Sequence, residues 1–203
     1  MKNLFVTMFM VAFSTITMGQ EKINTYTMTF FDTSPTFDVS ATQDNGNYEY
    51  FVSMFSMEGE RSPVVLMIEK PEEMQSFVDN LSDALSTYME WDSISKANNV
   101  TDLNKAMSIK SERFKAAFHY GSNWNFDYAV RLSYTFKHVD GQPVLIIRTG
   151  ELNSSSNQYI DSDGGVFVFS SEDEIEEFIE SLDRKHAVEY FNQKQNKESL
   201  FED

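Results

Sequence analysis

The chain has 203 residues, 16 Lys and Arg against 32 Asp and Glu, no cysteine, and aromatic side chains at 14% of its positions. The missing cysteines exclude disulfides, thiolate metal sites and cysteine nucleophiles. The formal charge of −16 makes nucleic acid a poor partner, and the aromatic content calls for a packed core instead of a disordered chain.

Residues 1–19 read as a cleavable export signal. Lys2 supplies the positive end, Leu4 to Ile16 is an uncharged, mainly apolar run, and Thr17-Met18-Gly19 places small residues where a signal peptidase reads. The run is shorter than the ~20 residues that cross a bilayer. The mature chain from Gln20 is therefore expected to be soluble, with no membrane span, in the periplasm or outside the cell. Losing Lys2 and no acid takes the formal charge from −16 to −17.

Downstream, Tyr26-Met28-Phe30 and then Phe37, Val39 and Ala41 alternate at strand spacing. Asn45-Gly46 is a two-residue hairpin turn, because both positions favour φ > 0. Tyr50 and Val52 follow on the return strand, and Val64–Ile68 is a short apolar strand. Pro71 then opens a helix with Met74, Phe77, Val78 and Leu81 on one stripe. This helix is read as running on to a break at Asn98-Asn99, followed by a short helix from a Thr101 cap.

The second part of the chain echoes this pattern. Ala116-Phe118-Tyr120 corresponds to Tyr26-Met28-Phe30, and Leu132, Tyr134 and Phe136 to Phe37, Val39 and Ala41. Asp140-Gly141 is again a hairpin turn, with Leu145 and Ile147 matching Tyr50 and Val52. Val166–Phe169 leads into a helix from Glu172 to Asp183 with Ile175, Phe178, Ile179 and Leu182 on its stripe. The expected fold is α+β: two ββββα repeats, residues 20–98 and 99–203, arising by internal duplication and forming an antiparallel sheet with helices on one face. The polar stretch from Asn192 to Asp203 reads as a frayed end.

The hairpins also fix which residues share a face. Ala41, Val39 and Phe37 are expected opposite Tyr50, Val52 and Met54, and Phe136, Tyr134 and Leu132 opposite Leu145, Ile147 and Thr149. That side belongs under the helices. The other side carries Asp38, Ser40, Thr42, Arg131, Ser133, Thr135 and Lys137, but also Phe51, Phe55, Val144, Ile146 and Arg148. Long loops folding over it, the two units packing face to face, or a bound partner would each account for apolar residues there. Gly121 to Tyr128 is the most aromatic loop, and an exposed Trp124 suits stacking on a sugar ring or anchoring a partner.

Motifs for chemistry are weak. Asp161, Asp163 and Glu172 have the spacing of calcium-loop positions, but no glycine stands at the sixth place and Val166 already begins a strand. The acids from Glu172 to Glu180 suit a helix N-terminus. His119, His138 and His186 lack zinc-pair spacing, although His119 and His138 are placed on strands that a sheet would make neighbours. There is no Gly-x-Ser-x-Gly elbow and no glycine-rich phosphate loop. No cofactor, metal or catalytic residue is assigned. The reading is an exported binding protein for a protein or small ligand outside the cytoplasm, using Phe51, Phe55, Ile146, Arg148 and Trp124. An exported hydrolase with a loop-built site and a structural envelope-associated protein are the alternatives.

Overall fold

The computed structural model describes residues 20–59 and 62–201, so the expected export signal lies outside the described residues. In chain order come β1 (Glu21–Thr27), β2 (Thr36–Asp44), β3 (Asn47–Ser56), β4 (Val64–Ile68), α1 (Pro71–Asn98), β5 (Asn104–Ala106), β6 (Phe114–Tyr120), β7 (Asn123–Val130), β8 (Ser133–Val139) and β9 (Gln142–Arg148). β10 (Leu152–Asn153), β11 (Asp161–Ser162), β12 (Gly165–Phe169), α2 (Glu172–Ser181) and α3 (Arg184–Glu198) follow. The protein is α+β, with an antiparallel sheet of many strands and three helices. Among the described residues no helix is long and apolar enough to cross a membrane.

Two of the sheet's turns form where the sequence predicts them. Asn45 and Gly46 take φ of 50° and 81°, and Asp140 and Gly141 take 51° and 80°, the left-handed pair that a two-residue hairpin needs. Ala41 pairs with Tyr50, Val39 with Val52, Phe136 with Leu145 and Tyr134 with Ile147, as expected. The β2–β3 ladder ends at Val39 and Val52, however, so the expected Phe37–Met54 pair does not form, although Phe37 keeps its partner Tyr26 on the β1 side of β2. Beyond this fork the end of β3 pairs with β12, Phe55 to Val166 and Ser56 to Gly165.

One run of neighbours is therefore β1-β2-β3-β4-β6-β7 and the other is β5-β8-β9-β12, joined at the β3–β12 seam. The seam depends on Gly165, where a Cβ would stand 2.8 Å from Val64 Cγ1 and 2.9 Å from Met54 Cβ. Gly164 before it has φ of +82°, and a Cβ there would meet the Gly150 carbonyl oxygen at 1.9 Å. Tyr26 crosses the fork and donates its hydroxyl to the Ser53 carbonyl.

The strands after α1 depart from a simple ββββα copy. β5-β8-β9-β12 then α2 mirrors β1-β2-β3-β4 then α1 in strand order, but β5 comes from the stretch expected to form a short helix after Thr101. The strand at 114–120, matched by sequence to residues 26–30, lies beside β4 and not beside β8. It forms a third hairpin with β7 through Gly121-Ser122, so the predicted aromatic loop is in fact a strand. His119 on β6 and His138 on β8 consequently fall in different runs and are not neighbours.

Both helices cover one face of the sheet. α1 has Pro71 at its first position, Glu72 and Glu73 in its first turn, and ends on Asn99 at φ 53°. It buries Met74, Phe77, Leu81, Ala84 and Tyr88. α2 is capped by Ser171, whose hydroxyl accepts from the Glu174 amide at 3.2 Å. The Glu174 carboxylate in turn accepts from the amides of Ser170 at 2.6 Å and Thr29 at 3.0 Å, which ties the β1–β2 turn to the start of α2. Between the helices and the sheet sits an aromatic core: Phe77 lies 5.7 Å from Phe114, and Phe178 lies 4.9 Å from Phe167 and 4.6 Å from Tyr26. Each ring of this size that is fully buried contributes roughly 1.5–3 kcal/mol.

The expected frayed tail is instead the second half of α3, which runs to Glu198. Asp183 caps it by accepting from the Lys185 amide at 2.8 Å, and Ala187 and Phe191 are buried. Tyr190 donates to Glu21 at 2.8 Å, and Lys194 forms an ion pair with the same carboxylate, which docks α3 against β1.

Candidate functional site

Turning the sheet over exposes the face that no helix covers. Side chains alternate along a strand, so Phe51 of β3, Met67 of β4 and Lys115 of β6 form one cross-strand row, and Ser53, Val65, Ala117 and Phe126 the next. Phe51, Val65, Met67 and Ala117 form a small apolar cluster separate from the main core, with Trp124 and Phe126 packed against it. Phe51 retains only 6% of its exposure, so the floor of this patch is already closed.

The wall of the patch is an aromatic column on β7. Trp124, Phe126 and Tyr128 are spaced by two and alternate with Asn123, Asn125 and Asp127. Trp124 and Phe126 are half-buried, while Tyr128 is 59% exposed. His119 meets Trp124 edge to face at 5.3 Å, and the Phe126 and Tyr128 rings lie 6.4 Å apart at 23°. A bulge between Phe114 and Ala116 breaks the regular register on this hairpin. The Lys115 ammonium sits 5.3 Å from the centroids of both Phe126 and Tyr128.

Charge collects at one end of the column. Lys115 pairs with Glu69 at 2.8 Å. Burial opposes the Lys115 charge, but the Glu69 hydrogen bond and field outweigh it and lift the ammonium pKa above its usual value. Glu49 on β3 has a raised carboxyl pKa, first because partial burial disfavours its charge and then because Glu69 repels it, against the pull of Lys115. The patch thus combines an apolar floor, three rings at graded exposure and a mixed-charge rim, the composition of a recognition surface.

The free edge of β7 is held by the segment after β9. Asp127 accepts from the Asn153 amide at 3.0 Å, the Ser155 amide donates to the Phe126 carbonyl at 2.8 Å, and Ser154 donates to Asn125 at 3.0 Å. This segment supplies β7 with polar partners and leaves the rings of the column on the open side.

The five residues selected from sequence fall in two neighbouring parts of this face. Phe51 and Trp124 meet in the small cluster. Phe55, through Val166, stands in one row with Arg148, and Ile146 lies on the adjacent row between Thr135 and Val168. Of these, Arg148 is exposed, Ile146 retains 9%, and Phe55 is half-buried with its ring stacked 4.2 Å from Phe31 of the β1–β2 turn. Phe126, Tyr128, Lys115, Glu49 and Glu69 were not selected, although the two-residue spacing from Trp124 to Tyr128 was a legible strand signal.

The calcium-loop spacing does not bring its acids together. Asp161 precedes β12 and Glu172 follows it, while the Asp163 amide is occupied by Glu58 at 3.2 Å. Among the described residues no three His, Cys, Asp or Glu side chains converge as metal ligands. Set beside known proteins, the chain matches no family model, no curated protein and no solved structure.

Proposed function

We propose that the protein is an exported binding module that takes a protein or small ligand outside the cytoplasm on the helix-free sheet face. The observation that supports this is the column Trp124, Phe126 and Tyr128, rising from a closed floor to an open ring. Rings placed this way offer contact area at low cost in side-chain entropy, and half-open aromatics with a polar rim are where interface energy concentrates. Phe51 acts from below by holding Trp124 and Phe126 in place. Arg148, Phe55 and Ile146 extend the surface across the seam, with Arg148 as its exposed cation. The strongly acidic composition argues against nucleic acid as the ligand.

Export is tested by N-terminal sequencing of protein recovered outside the cytoplasm, which should begin at Gln20; a chain beginning at Met1 contradicts it. Binding is tested by hydrogen exchange of the purified protein with and without concentrated envelope extract. The expected result is new protection across Asn123–Val130 and Tyr48–Ser56, with α1 unchanged. Exchange unaffected by extract in both strands contradicts the reading.

A further inference from the structure

On the opposite side of the sheet, two hollows follow one another along α1 and α2. The first, of about 720 Å³, is walled by Met74, Val78 and Leu85 of α1 and by Ile179 and Leu182 at the end of α2. The second, also of about 720 Å³, takes Met89 and Asp92 of α1 and Ser171 and Glu172 at the start of α2. Val78 and Ile179 belong to the helix stripes that sequence assigns to the core, yet they and Leu85 are only half-buried, and Met89 is 43% exposed. From Val78 to Met89 the helix rises about 16 Å, at ~1.5 Å per residue. The two helices therefore leave an apolar trough of about three turns without a partner.

The charge around this trough is predominantly negative. α1 carries six acids and one base, Lys96, and α2 carries six acids and no base. Lys96 is taken by Asp92 at 2.5 Å, and Lys185 by Glu180 at 3.1 Å and Asp183 at 3.5 Å. Among the described residues, Glu176 in the first hollow and Glu172 in the second have no Lys or Arg within ion-pair distance. Glu176 and Glu180 lie past the first turn of α2, where the helix dipole no longer favours acids, and at the i, i+4 spacing at which like charges repel. The last turn of α2, which ends in the first hollow, has no base to meet the negative end of the dipole. Arg184 is the one Lys or Arg lining that hollow, and it lies at the hairpin end, 5.3 Å over the Tyr48 ring and 3.5 Å from the Gly46 carbonyl. An apolar trough with unneutralised carboxylates in its walls complements a partner that is apolar on one face and basic on the other.

We propose that the trough binds a cationic amphipathic helix of another protein, whose apolar stripe fills both hollows while its Lys or Arg side chains meet Glu176 and the end of α2. Side chains three turns apart on one face of such a helix reach both hollows at once, which a small cation cannot do. The trough lies across the sheet from the aromatic column, so this inference and the sheet-face reading stand or fall separately.

The test is fluorescence anisotropy of the purified protein with labelled peptides of about 18 residues, or five helical turns. One peptide has Leu at helical spacing and Lys elsewhere, a second replaces its Leu by Ser, and a third replaces its Lys by Glu. The Leu–Lys peptide should bind, the Ser–Lys peptide at least about tenfold more weakly, and the Leu–Glu peptide not measurably. Val78→Glu makes the protein more acidic yet should weaken the Leu–Lys peptide at least about tenfold, because a charge then stands in the apolar wall. Glu176→Gln should weaken it about two- to fivefold. Circular dichroism shows whether each variant keeps the parent fold, and Met89→Glu in the second hollow repeats the Val78→Glu test at an exposed position. Hydrogen exchange with the Leu–Lys peptide should add protection on α1 and α2 and none across Asn123–Val130. Failure of the Leu–Lys peptide to bind, equal binding of the Ser–Lys peptide, undiminished binding by a folded glutamate variant, or protection confined to Asn123–Val130 overturns the proposal.

Discussion

On the helix side, Val39, Val52, Leu66 and Ala116 run in a row across β2, β3, β4 and β6, and all four are fully enclosed. One residue along, on the other side, the row Ser40, Phe51, Met67 and Lys115 begins at a hydroxyl and ends at an ion pair beside an open tyrosine. Adjacent residues on the same strands thus enter two environments. The difference lies in the cover: helices enclose this row on one face, while on the other face Phe51, Val65, Met67 and Ala117 form a closed floor beside a rim left accessible. Truncation should therefore cost stability on the first face and recognition on the second.

The largest effect belongs to the helix side. Phe77→Ala removes a fully buried ring between Phe114, Phe167 and Phe178 and should cost about 3–5 kcal/mol in urea unfolding. A loss below about 1 kcal/mol would mean that this core collapses around the cavity, and the contrast between faces would weaken. Next is the seam that joins the two runs of strands. Gly165→Ala forces a methyl group against Val64 and Met54 and should cost about 1–3 kcal/mol. Amide exchange should rise first at Phe55, Ser56 and Val166, and unchanged exchange there would show that the seam tolerates a side chain.

Glu174→Gln comes third. It keeps the volume but weakens acceptance from Thr29 and Ser170, for a loss of about 1–2 kcal/mol. The local readout is faster exchange of the Thr29 and Ser170 amides. Retained protection at both would contradict the pinning role given to this carboxylate.

Two carboxylates whose pKa values shift in opposite directions make the smallest and most discriminating comparison. The hydrogen bond from Lys194, then that from Tyr190, holds Glu21 below the usual carboxylate pKa. Its folded pKa lies below its unfolded one, so its stabilising contribution is complete above the ordinary carboxylate range and is lost as the pH falls through the depressed value. Glu49 is raised, chiefly by burial, so its charge is a cost above its folded pKa that acidification relieves. Mild acidification should therefore raise the protection factors on β3, taken against the intrinsic exchange rate at each pH, and stronger acidification should release α3. Glu49→Gln should abolish the first effect and spare the second. Persistence of the first in this variant would place its source elsewhere.

How much of this was legible depended on whether the signal was local. Asn45-Gly46 and Asp140-Gly141 announced their hairpins because few other pairs accept two positive φ angles, and register followed by counting. The stripes on α1 and α2 were plain from spacing. The fork at Val39 was not, because only a strand more than a hundred positions later in the chain displaces β2 from β3. β5 is too short to carry a periodic signal, and the polar composition of α3 concealed the buried Ala187 and Phe191, whose cover comes from distant parts of the chain such as Tyr48.

The site was half visible for the same reason. Phe51 was singled out as an aromatic on the wrong side of a hairpin, and Trp124 as an aromatic among turn-forming residues. Their meeting required β6 to pair with β4, which no local pattern states. The polar residues between Trp124, Phe126 and Tyr128 made a strand resemble a loop. Lys115, Glu49 and Glu69 became part of the surface only once that pairing was known.

The measurement that bears most directly on the division of labour between the faces uses the double variant Trp124→Ala, Tyr128→Ala. Removing one open and one half-buried ring should cost about 1–3 kcal/mol of stability, less than Phe77→Ala, and leave the fold intact. Hydrogen exchange with envelope extract should show α1 and α2 protected as in the parent, while the extract-dependent protection across Asn123–Val130 disappears. Extract-dependent protection that survives the double substitution would contradict the account, because the ligand would then be held without the column said to bind it.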